Sequence, residues 1–361
     1  METVKQISLG TEETYIGRQA MRMLRQKAPA AGKKALIVAG QKALESAIKV
    51  GLIKEMEAAQ VPYVIFPFQG YCSETNVSAI QKLAFQENCD FFIGVGGGKC
   101  MDATKSAADR MEKRCILIPS SCATCASNVR LCVWYDDQGR CVPGMFAKHS
   151  AFALIVDTEL IVTHGSERLM ASGMMDALAK YPEIDYSLAN TPKEQRTALL
   201  ITAQSVAKSN FDYILNQGEQ IYRDAAAHKN SFAVEQMAET NIVATGLASS
   251  LVAGVQQLAI AHMFHDAVAT LFHDQRTKYL HGEVVAVGVL LQMHSNGYDS
   301  DLIQRTEEFI RSVHGPLCLS DLEIAPTQEN RAKILEYIAS RGYEEPAIFA
   351  RIEEAFQYIE R

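Results

Sequence analysis

Short apolar runs alternate with longer amphipathic segments through the first 160 residues of the chain. The segments between the early runs have apolar residues at helical spacing, at Lys42–Ala59, Glu74–Gln86 and Met101–Lys113. Buried parallel strands are continuously apolar, and connections of this length join parallel neighbours. The pattern therefore predicts an α/β domain with a mostly parallel, doubly wound sheet over residues 1–160. Its strands are expected at Lys34–Ala39, Pro62–Phe66, Asp90–Val95, Cys115–Pro119, Leu131–Tyr135 and Phe152–Asp157.

The pattern changes after residue 160, where strand-like runs almost disappear. Ser166–Lys180 predicts a helix with Ser166 as its N-cap and a stop before Pro182. Residues 161–361 are therefore predicted to form an all-α domain. Its further helices are expected at Pro192–Leu215, Phe232–Val252, Gln256–Phe272, Val284–Ser295, Ser300–Val313, Asn330–Ser340 and Pro346–Ile359.

Composition and charge exclude several classes of protein. The chain has 361 residues, of which 48% are hydrophobic and 21% charged, and this balance fits a folded protein rather than a disordered one. Its 35 Lys and Arg against 42 Asp and Glu leave a net charge of −7, which argues against a nucleic-acid partner. No apolar run approaches the ~20 residues that span a bilayer. Because the first residues also lack the order of a signal peptide, we expect a cytoplasmic protein without a membrane partner.

The nine cysteines are an odd number, and eight of them lie between Cys72 and Cys141. A chain of this length in a reducing compartment does not need a disulfide framework, so most of them are expected to be small buried hydrophobes. The spacing Cys122-x-x-Cys125 also fits a thiol redox pair or half of a structural zinc site. A loop that lines a cleft is the favoured interpretation, because a structural zinc site would need a second pair of ligands.

The segment Gly94-Val-Gly-Gly-Gly-Lys99 follows one predicted strand directly and precedes a predicted helix. Glycines let the backbone approach a ligand closely, and a helix N-terminus presents N–H groups to a phosphate. The spacing is neither that of a P-loop nor the usual G-x-G-x-x-G fingerprint. Phosphate binding is favoured over the alternative, a turn that needs glycine only for its backbone angles.

One carboxylate and four histidines in the helical half are candidates for metal chemistry. Asp176 lies in an otherwise apolar helix, where an unpaired carboxylate would be costly. Two imidazoles with one carboxylate match a catalytic metal site that keeps an open position. Spacing alone favours neither interpretation, a metal site or a set of ordinary packed or surface histidines. The histidines are His262, His265, His273 and His281.

Five separated motifs together resemble the glycerol dehydrogenase branch of the metal-dependent, iron-containing type of alcohol dehydrogenases. Within that branch, three further stretches resemble the bacterial hydroxycarboxylate dehydrogenases most closely: Gly70-Tyr-Cys-Ser-Glu-Thr, Ala123-Thr-Cys-Ala and Cys132-Val-Trp-Tyr-Asp-Asp-Gln-Gly. The five motifs are Gly96-Gly-Gly-Lys-x-x-Asp102-x-x-Lys105, Ile118-Pro119-Ser120, Ala171-Ser-Gly-x-x-Asp176-Ala-Leu, Ala261-His262-x-x-His265 and Tyr279-Leu-His281-Gly-Glu.

The resemblance implies a homo-oligomeric oxidoreductase that passes a hydride between NAD or NADP and a small substrate, in a cleft between a dinucleotide domain and a helical domain. It implies Zn²⁺, with Fe²⁺ as the alternative, bound by Asp176, His262 and His281. It implies a proton relay at His265, and Cys125 stands where glycerol dehydrogenases have a substrate-binding aspartate. The cofactor-binding residues that it implies are Gly97, Gly98, Lys99, Asp102, Ser120, Ala123, Leu131 and Tyr135.

Three departures from the glycerol dehydrogenase pattern change the expected chemistry. Gly40 replaces the acidic residue that holds the adenosine ribose, so NADP is expected to be tolerated, with Lys42 available to its 2′-phosphate. Cys125 cannot accept hydrogen bonds from a diol as a carboxylate does, and it does not repel an anion, so a small 2-oxo or 2-hydroxy acid is favoured over glycerol. Pro182 is expected to shorten its helix.

Other functions remain open at this point. Glycerol dehydrogenase proper, with glycerol and dihydroxyacetone as substrates, is one alternative. An enzyme like the glycerol-1-phosphate dehydrogenases or dehydroquinate synthases is a second, although Arg130 is the only basic residue between Arg114 and Arg140. A nucleotide-binding protein without catalysis is a third, and the presence of all three expected metal ligands argues against it.

Overall fold

The computed structural model describes residues 7–252, 259–343 and 345–361. It divides the chain into two compact units. The first contains the described residues up to Glu167 together with Asp224–Ser250, and the second contains Arg168–Arg223 and the described residues from Leu251 to Arg361.

A six-stranded, all-parallel sheet is the centre of the first unit, with strand order β1-β8-β5-β4-β2-β3. The inner strands β2, β4, β5 and β8 are almost wholly buried, as their continuous apolar runs predict. This confirms the predicted α/β fold. The strands of the sheet are β1 Glu13–Gly17, β2 Ala35–Ala39, β3 Tyr63–Pro67, β4 Phe91–Gly96, β5 Arg114–Pro119 and β8 Ala153–Asp157, and a separate pair consists of β6 Leu131–Tyr135 and β7 Cys141–Phe146.

Two features of the strands differ from the sequence analysis. Five strands of the sheet are predicted from the sequence, and the one that is not is β1. Its mixed sequence and its position at the edge of the sheet hide it from a search for apolar runs. Leu131–Tyr135 is a strand as predicted, but it pairs antiparallel with β7 outside the main sheet. The Pro-Gly dipeptide inside β7 conceals that strand in the sequence.

Helices cover the sheet and its loops in the first unit. One apolar core joins sheet residues such as Ile37, Phe91 and Ile116 to helix residues such as Leu24 and Leu52. The helices of this unit are α1 Leu24–Ala31, α2 Gln41–Val50, α3 Leu52–Ala58, α4 Glu74–Gln86, α5 Gly98–Arg110, α6 Thr158–His164, α9 Phe232–Ala238 and α10 Thr245–Leu251, whose last residue belongs to the second unit.

Residues Asp224–Ser250, which the sequence analysis assigns to the helical domain, pack with the first unit. Asn241 donates its Nδ2 to the carbonyl of Cys122, and Asn128 donates its Nδ2 to the carbonyl of Val243. These long-range hydrogen bonds have no local signal in the sequence.

The second unit is helical, and in the described chain every strand ends by Asp157. This confirms the predicted helical character. Its helices are α7 Glu167–Asn190, α8 Ala198–Ala226, α11 Ile260–Leu271, α12 His273–Arg276, α13 His281–Asn296, α14 Ser300–Ser312, α15 Gln328–Ile338 and α16 Pro346–Phe356; α7 and α8 each cross a boundary between the units at one end.

The predicted stop before Pro182 is wrong, because α7 continues through Pro182 to Asn190. A proline inside a helix removes one N–H donor and costs ~3 kcal/mol. Here Pro182 and its neighbours Glu183 and Ile184 are buried, and Asn296 donates its Nδ2 to the Pro182 carbonyl over 2.8 Å. Packing against α13 therefore outweighs the local cost of the proline.

None of the helices in the described ranges is both long and apolar enough to cross a bilayer.

Candidate functional site

Asp176, His262 and His281 meet inside the second unit, although they lie on the three separate helices α7, α11 and α13. The Nε2 atoms of His262 and His281 lie 3.2 and 3.3 Å from Oδ1 of Asp176. One potential ligand atom from each of the three residues lies within 4.8 Å of the others, and no other such group of three occurs among the described residues.

Two glycines of α13 allow this convergence. A Cβ atom on Gly282 would overlap the Ser172 carbonyl of α7, one turn before Asp176. A Cβ atom on Gly288 would lie 2.4 Å from the carbonyl oxygen of Ala261, the residue before His262. Because neither glycine has a side chain, α13 approaches both partner helices closely enough for the three side chains to meet.

Glu183 determines which nitrogen of His262 carries its proton. The Glu183 side chain is fully buried on α7, two turns beyond Asp176, and its carboxylate lies 2.8 Å from Nδ1 of His262. It also accepts a hydrogen bond from the backbone N–H of His262. A carboxylate accepts, so Nδ1 of His262 donates to Glu183, and Nε2 is the nitrogen that faces Asp176 and that would lose its proton when a metal ion binds.

A longer set of contacts gives His281 the same tautomer. Arg276 donates its Nε–H to Nε2 of His265 over 3.0 Å, so the proton of His265 lies on Nδ1, which faces Asp266 at 2.9 Å. Nδ1 of His281 lies 3.0 Å from the same unprotonated nitrogen of His265 and must be the donor. Nε2 of His281 is therefore the nitrogen that faces Asp176, as Nε2 of His262 does.

Three potential ligand atoms thus converge, and a metal ion bound there would replace the proton that His262 otherwise shares with Asp176. Two imidazole nitrogens with a carboxylate oxygen are a set that could hold Zn²⁺ or Fe²⁺. Burial alone raises the pKa of Asp176, but the two histidines outweigh burial and hold it well below its ordinary value. Burial lowers the pKa of His262, but the charge of Glu183 and the contact with Asp176 together raise it to about 9. Both shifts show how strongly this point attracts positive charge.

The predicted phosphate loop lies at the carboxyl end of β4 in the first unit. Gly94 packs against Thr104 of α5, and Gly96 against Cys100, so these two glycines bring the helix close to the strand. Gly97 is exposed, and a Cβ atom on it would contact nothing within 4 Å. No side chain caps the N-terminus of α5 that begins at Gly98. The loop therefore presents open space beside helix N–H groups, as a bound pyrophosphate requires.

Aromatic rings orient Lys99 beside this loop. Its Nζ lies 4.0 Å from the ring centre of Tyr71 and 5.9 Å from that of Tyr135. The two rings are 5.3 Å apart and hold each other in place.

The loop after β5 lies next to the glycines. Ser120 donates its backbone N–H to the carbonyl of Gly96. Thr124 lies 3.1 Å from the Cβ position of Gly98, and Ala123 precedes it in the same loop, half-buried. Three of the predicted cofactor residues, Gly98, Ser120 and Ala123, are thus neighbours in space or sequence.

Asp102 is buried in α5, and it holds the hairpin formed by β6 and β7 instead of lying in the open glycine loop. It pairs with Lys105 at 2.9 Å and accepts the backbone N–H of Val133. Burial raises the pKa of Asp102, and Lys105 opposes that rise. Lys105 also donates to three carbonyls, including that of Leu131, whose side chain is exposed.

All nine cysteines lie among the described residues, and none of them forms a disulfide bond. Cys122 is buried, and burial raises its pKa to about 12, which does not suit a thiol redox pair. Cys125 is half-buried at the end of the loop after β5. Arg130 donates to the carbonyls of Ala147 and Lys148, so it supports the chain there.

Sequence reasoning missed Glu183 and Arg276. The spacing of Asp176 and Glu183, seven residues on one apolar helix, is a signal that could have identified the glutamate, because it places both carboxylates on one face. Arg276 has no such signal, since its contact with His265 depends on the turn before α13.

The comparisons with known proteins agree with one another. Residues 11–158 match the family described as iron-containing alcohol dehydrogenase. Hydroxycarboxylate dehydrogenase A of Escherichia coli is 31% identical over 275 residues, which cover 75% of this chain and 73% of that protein. A glycerol dehydrogenase of Thermotoga maritima is 28% identical, over 74% of this chain and 72% of that protein. The crystal structure of glycerol dehydrogenase from Schizosaccharomyces pombe superposes with a TM-score of 0.85 at 22% identity, covering 99% of this chain and 92% of that one, and so shares the fold.

Proposed function

The chain belongs to the iron-containing alcohol dehydrogenase family, and on that basis we propose that it transfers a hydride between a nicotinamide cofactor and a small 2-oxo or 2-hydroxy acid. The observation that carries the proposal is the convergence of Asp176, His262 and His281, in which hydrogen bonds to the Nδ1 atoms of both imidazoles leave the two Nε2 atoms and Oδ1 of Asp176 facing one point. This arrangement suits a bound cation.

We propose Zn²⁺ as the ion, with Fe²⁺ as the alternative. When bound, the metal supplies a Lewis acid for the substrate oxygen, and the nicotinamide accepts or supplies the hydride. The protein's part is to hold the ligands: Glu183 orients His262, and the close approach at Gly282 brings His281 towards Asp176.

For the cofactor, we propose that the pyrophosphate lies on the N-terminus of α5. The open space at Gly97 and the uncapped helix end support this assignment. Lys99 adds a positive charge, and Ser120 with Ala123 would line the adenosine side. In this proposal Asp102 acts by holding the hairpin on which Leu131 and Tyr135 lie.

NADP(H) is the cofactor that we propose. Gly40 has φ −70° and ψ 146°, which any residue adopts, and a Cβ atom there would meet only the Phe68 carbonyl oxygen at 3.9 Å. Glycine is therefore not needed for the backbone, and its effect is to leave out a carboxylate that would repel a 2′-phosphate. Lys42 is exposed in the first turn of α2 that follows.

A 2-oxo acid is the proposed substrate for two reasons. Cys125 replaces an acidic residue of the glycerol dehydrogenase pattern, so an anionic substrate meets no repulsion there. The relative from Escherichia coli is named a hydroxycarboxylate dehydrogenase. The contacts of Arg130 with two carbonyls give no support to a phosphorylated substrate. The cytoplasmic location and the homo-oligomeric state stay predictions.

The test is a screen of NADH and NADPH oxidation, followed by absorbance, with Zn²⁺- or Fe²⁺-loaded protein. The panel contains small 2-oxo acids, dihydroxyacetone and dihydroxyacetone phosphate, and glycerol oxidation is measured in the reverse direction. Reduction of a 2-oxo acid is expected, and it should vanish together with bound metal in His281→Ala. Efficient glycerol oxidation without activity on any 2-oxo acid would refute the substrate assignment.

A further inference from the structure

We infer that Arg276 and Asp266 are positioning residues that act together through His265 and hold His281 in the tautomer that binds the metal. The inference rests on the proposed metal site and goes beyond it, because both residues lie outside the ligand set. It also gives His265 a task different from the predicted proton relay.

The donors and acceptors around His265 determine which of its nitrogens carries the proton. A guanidinium N–H can only donate, so the contact of 3.0 Å from Arg276 requires a bare Nε2 on His265. The remaining proton of a neutral imidazole then lies on Nδ1, where Asp266 accepts it at 2.9 Å. His265 is only 4% exposed, so water does not compete freely for these two atoms.

His281 contacts the unprotonated nitrogen of His265, Nε2. Nδ1 of His281 lies 3.0 Å from it, so His281 and Arg276 share its single lone pair, and His281 takes part only if it carries its proton on Nδ1. The other nitrogen of His281, Nε2, is then unprotonated and faces Asp176 at 3.3 Å. If His265 held its proton on Nε2 instead, Nδ1 of His281 would have to be the acceptor and Nε2 would carry the proton, which blocks a metal bond.

A second hydrogen bond holds the Arg276 side chain in position. Its Nη1 donates to the carbonyl of Tyr279 over 2.6 Å, two residues before His281. This hydrogen bond therefore joins the guanidinium to the turn between α12 and α13 that leads to His281. His262 has a simpler arrangement, because Glu183 accepts its proton directly. The two histidines are thus oriented by different means.

The test compares Arg276→Gln with Arg276→Met, each made together with Asp266→Leu so that Asp266 no longer fixes the proton of His265. The amide nitrogen of Gln lies the same number of bonds from Cα as Nε of Arg, so Gln keeps the donor and loses the charge, whereas Met keeps the length and loses the donor. Both lose the contact with Tyr279. Arg305→Met, at an exposed position of α14, is the control. Zn²⁺ affinity is measured by competition with a chelator, Co²⁺ binding by its visible d–d bands, and the melting temperature on metal-free protein.

Compared with Asp266→Leu alone, we expect the added Arg276→Met to weaken Zn²⁺ binding about 10- to 100-fold and to change the Co²⁺ spectrum, the effect typical of losing a partner behind a metal ligand. The added Arg276→Gln should stay close to Asp266→Leu alone, Arg305→Met should behave like the wild type, and both double variants should melt like Asp266→Leu without metal. Equal affinity with and without the added Arg276→Met would overturn the inference, as would equal losses in the Met and Gln variants or a matching loss of metal-free stability. A wild-type protein that binds neither ion refutes the proposed metal site instead.

Discussion

Gly282 lies so close to Ser172 that a Cβ atom on it would be 1.8 Å from the Ser172 carbonyl oxygen. The backbone N–H of Gly282 also donates a hydrogen bond to the Ser172 hydroxyl over 3.1 Å. This contact joins the start of α13, which carries His281, to the turn of α7 that leads to Asp176.

Replacing Gly282 with Ala should therefore separate the ligands. The extra methyl group must push α13 away from α7, at a cost of about 1–3 kcal/mol in the free energy of unfolding. We expect a lower melting temperature and loss of most bound metal, measured by calorimetry and metal analysis. Gly40→Ala is the control, because its Cβ has 3.9 Å of space. Full metal binding by Gly282→Ala would contradict the role given to this contact.

Replacing Glu183 should weaken metal binding in proportion to the hydrogen bonding that is lost. Gln at this position keeps an oxygen acceptor for His262, whereas Leu leaves its buried N–H groups without a partner. We expect about 10- to 100-fold weaker Zn²⁺ affinity for Glu183→Leu and a smaller loss for Glu183→Gln. Glu194→Gln, at an exposed position, should bind like the wild type. The prediction fails if the Leu variant keeps its affinity.

Introducing a carboxylate with Gly40→Asp should shift the cofactor preference towards NADH. The new side chain can bind ribose hydroxyls and repels a 2′-phosphate. A change of about tenfold or more in the ratio of kcat/KM for NADPH and NADH is expected, corresponding to ~1.4 kcal/mol. Gly40→Ala controls for the loss of glycine. A wild-type enzyme that already prefers NADH strongly would contradict the premise.

Removing the charge of Lys99 should weaken cofactor binding more than it affects metal binding. A hydrogen bond to a charged group contributes about 1.5–3 kcal/mol, so Lys99→Met should raise the cofactor Kd roughly 10- to 100-fold. Fluorescence titration with NADPH measures it, and metal analysis supplies the control within the same protein. Lys42→Met, which affects only the proposed 2′-phosphate contact, should weaken NADPH binding while leaving NADH binding unchanged. Cofactor affinity unaltered in Lys99→Met would remove Lys99 from the proposed site.

Local patterns in the sequence predict much of the fold. The continuous apolar runs of β2, β4, β5 and β8 predict buried parallel strands because each run is complete within a few residues. The edge strand β1 and the hairpin partner β7 lack such runs, since strands with an exposed side need no continuous apolar stretch. Pro182 shows the reverse case, where a strong local signal is overridden by the packing of α7.

The apolar pattern and the motifs predict the α/β and helical halves, the glycine loop before α5, and Asp176, His262 and His281 as a candidate set. The folded chain alone shows that these three side chains meet, that Glu183 and Arg276 lie behind the histidines, and that Asp224–Ser250 belongs to the first unit. The difference lies in the range of the interactions. Periodicity and turn chemistry act between near neighbours, whereas the proton on an imidazole depends on partners far along the chain, 79 residues apart for His262 and Glu183.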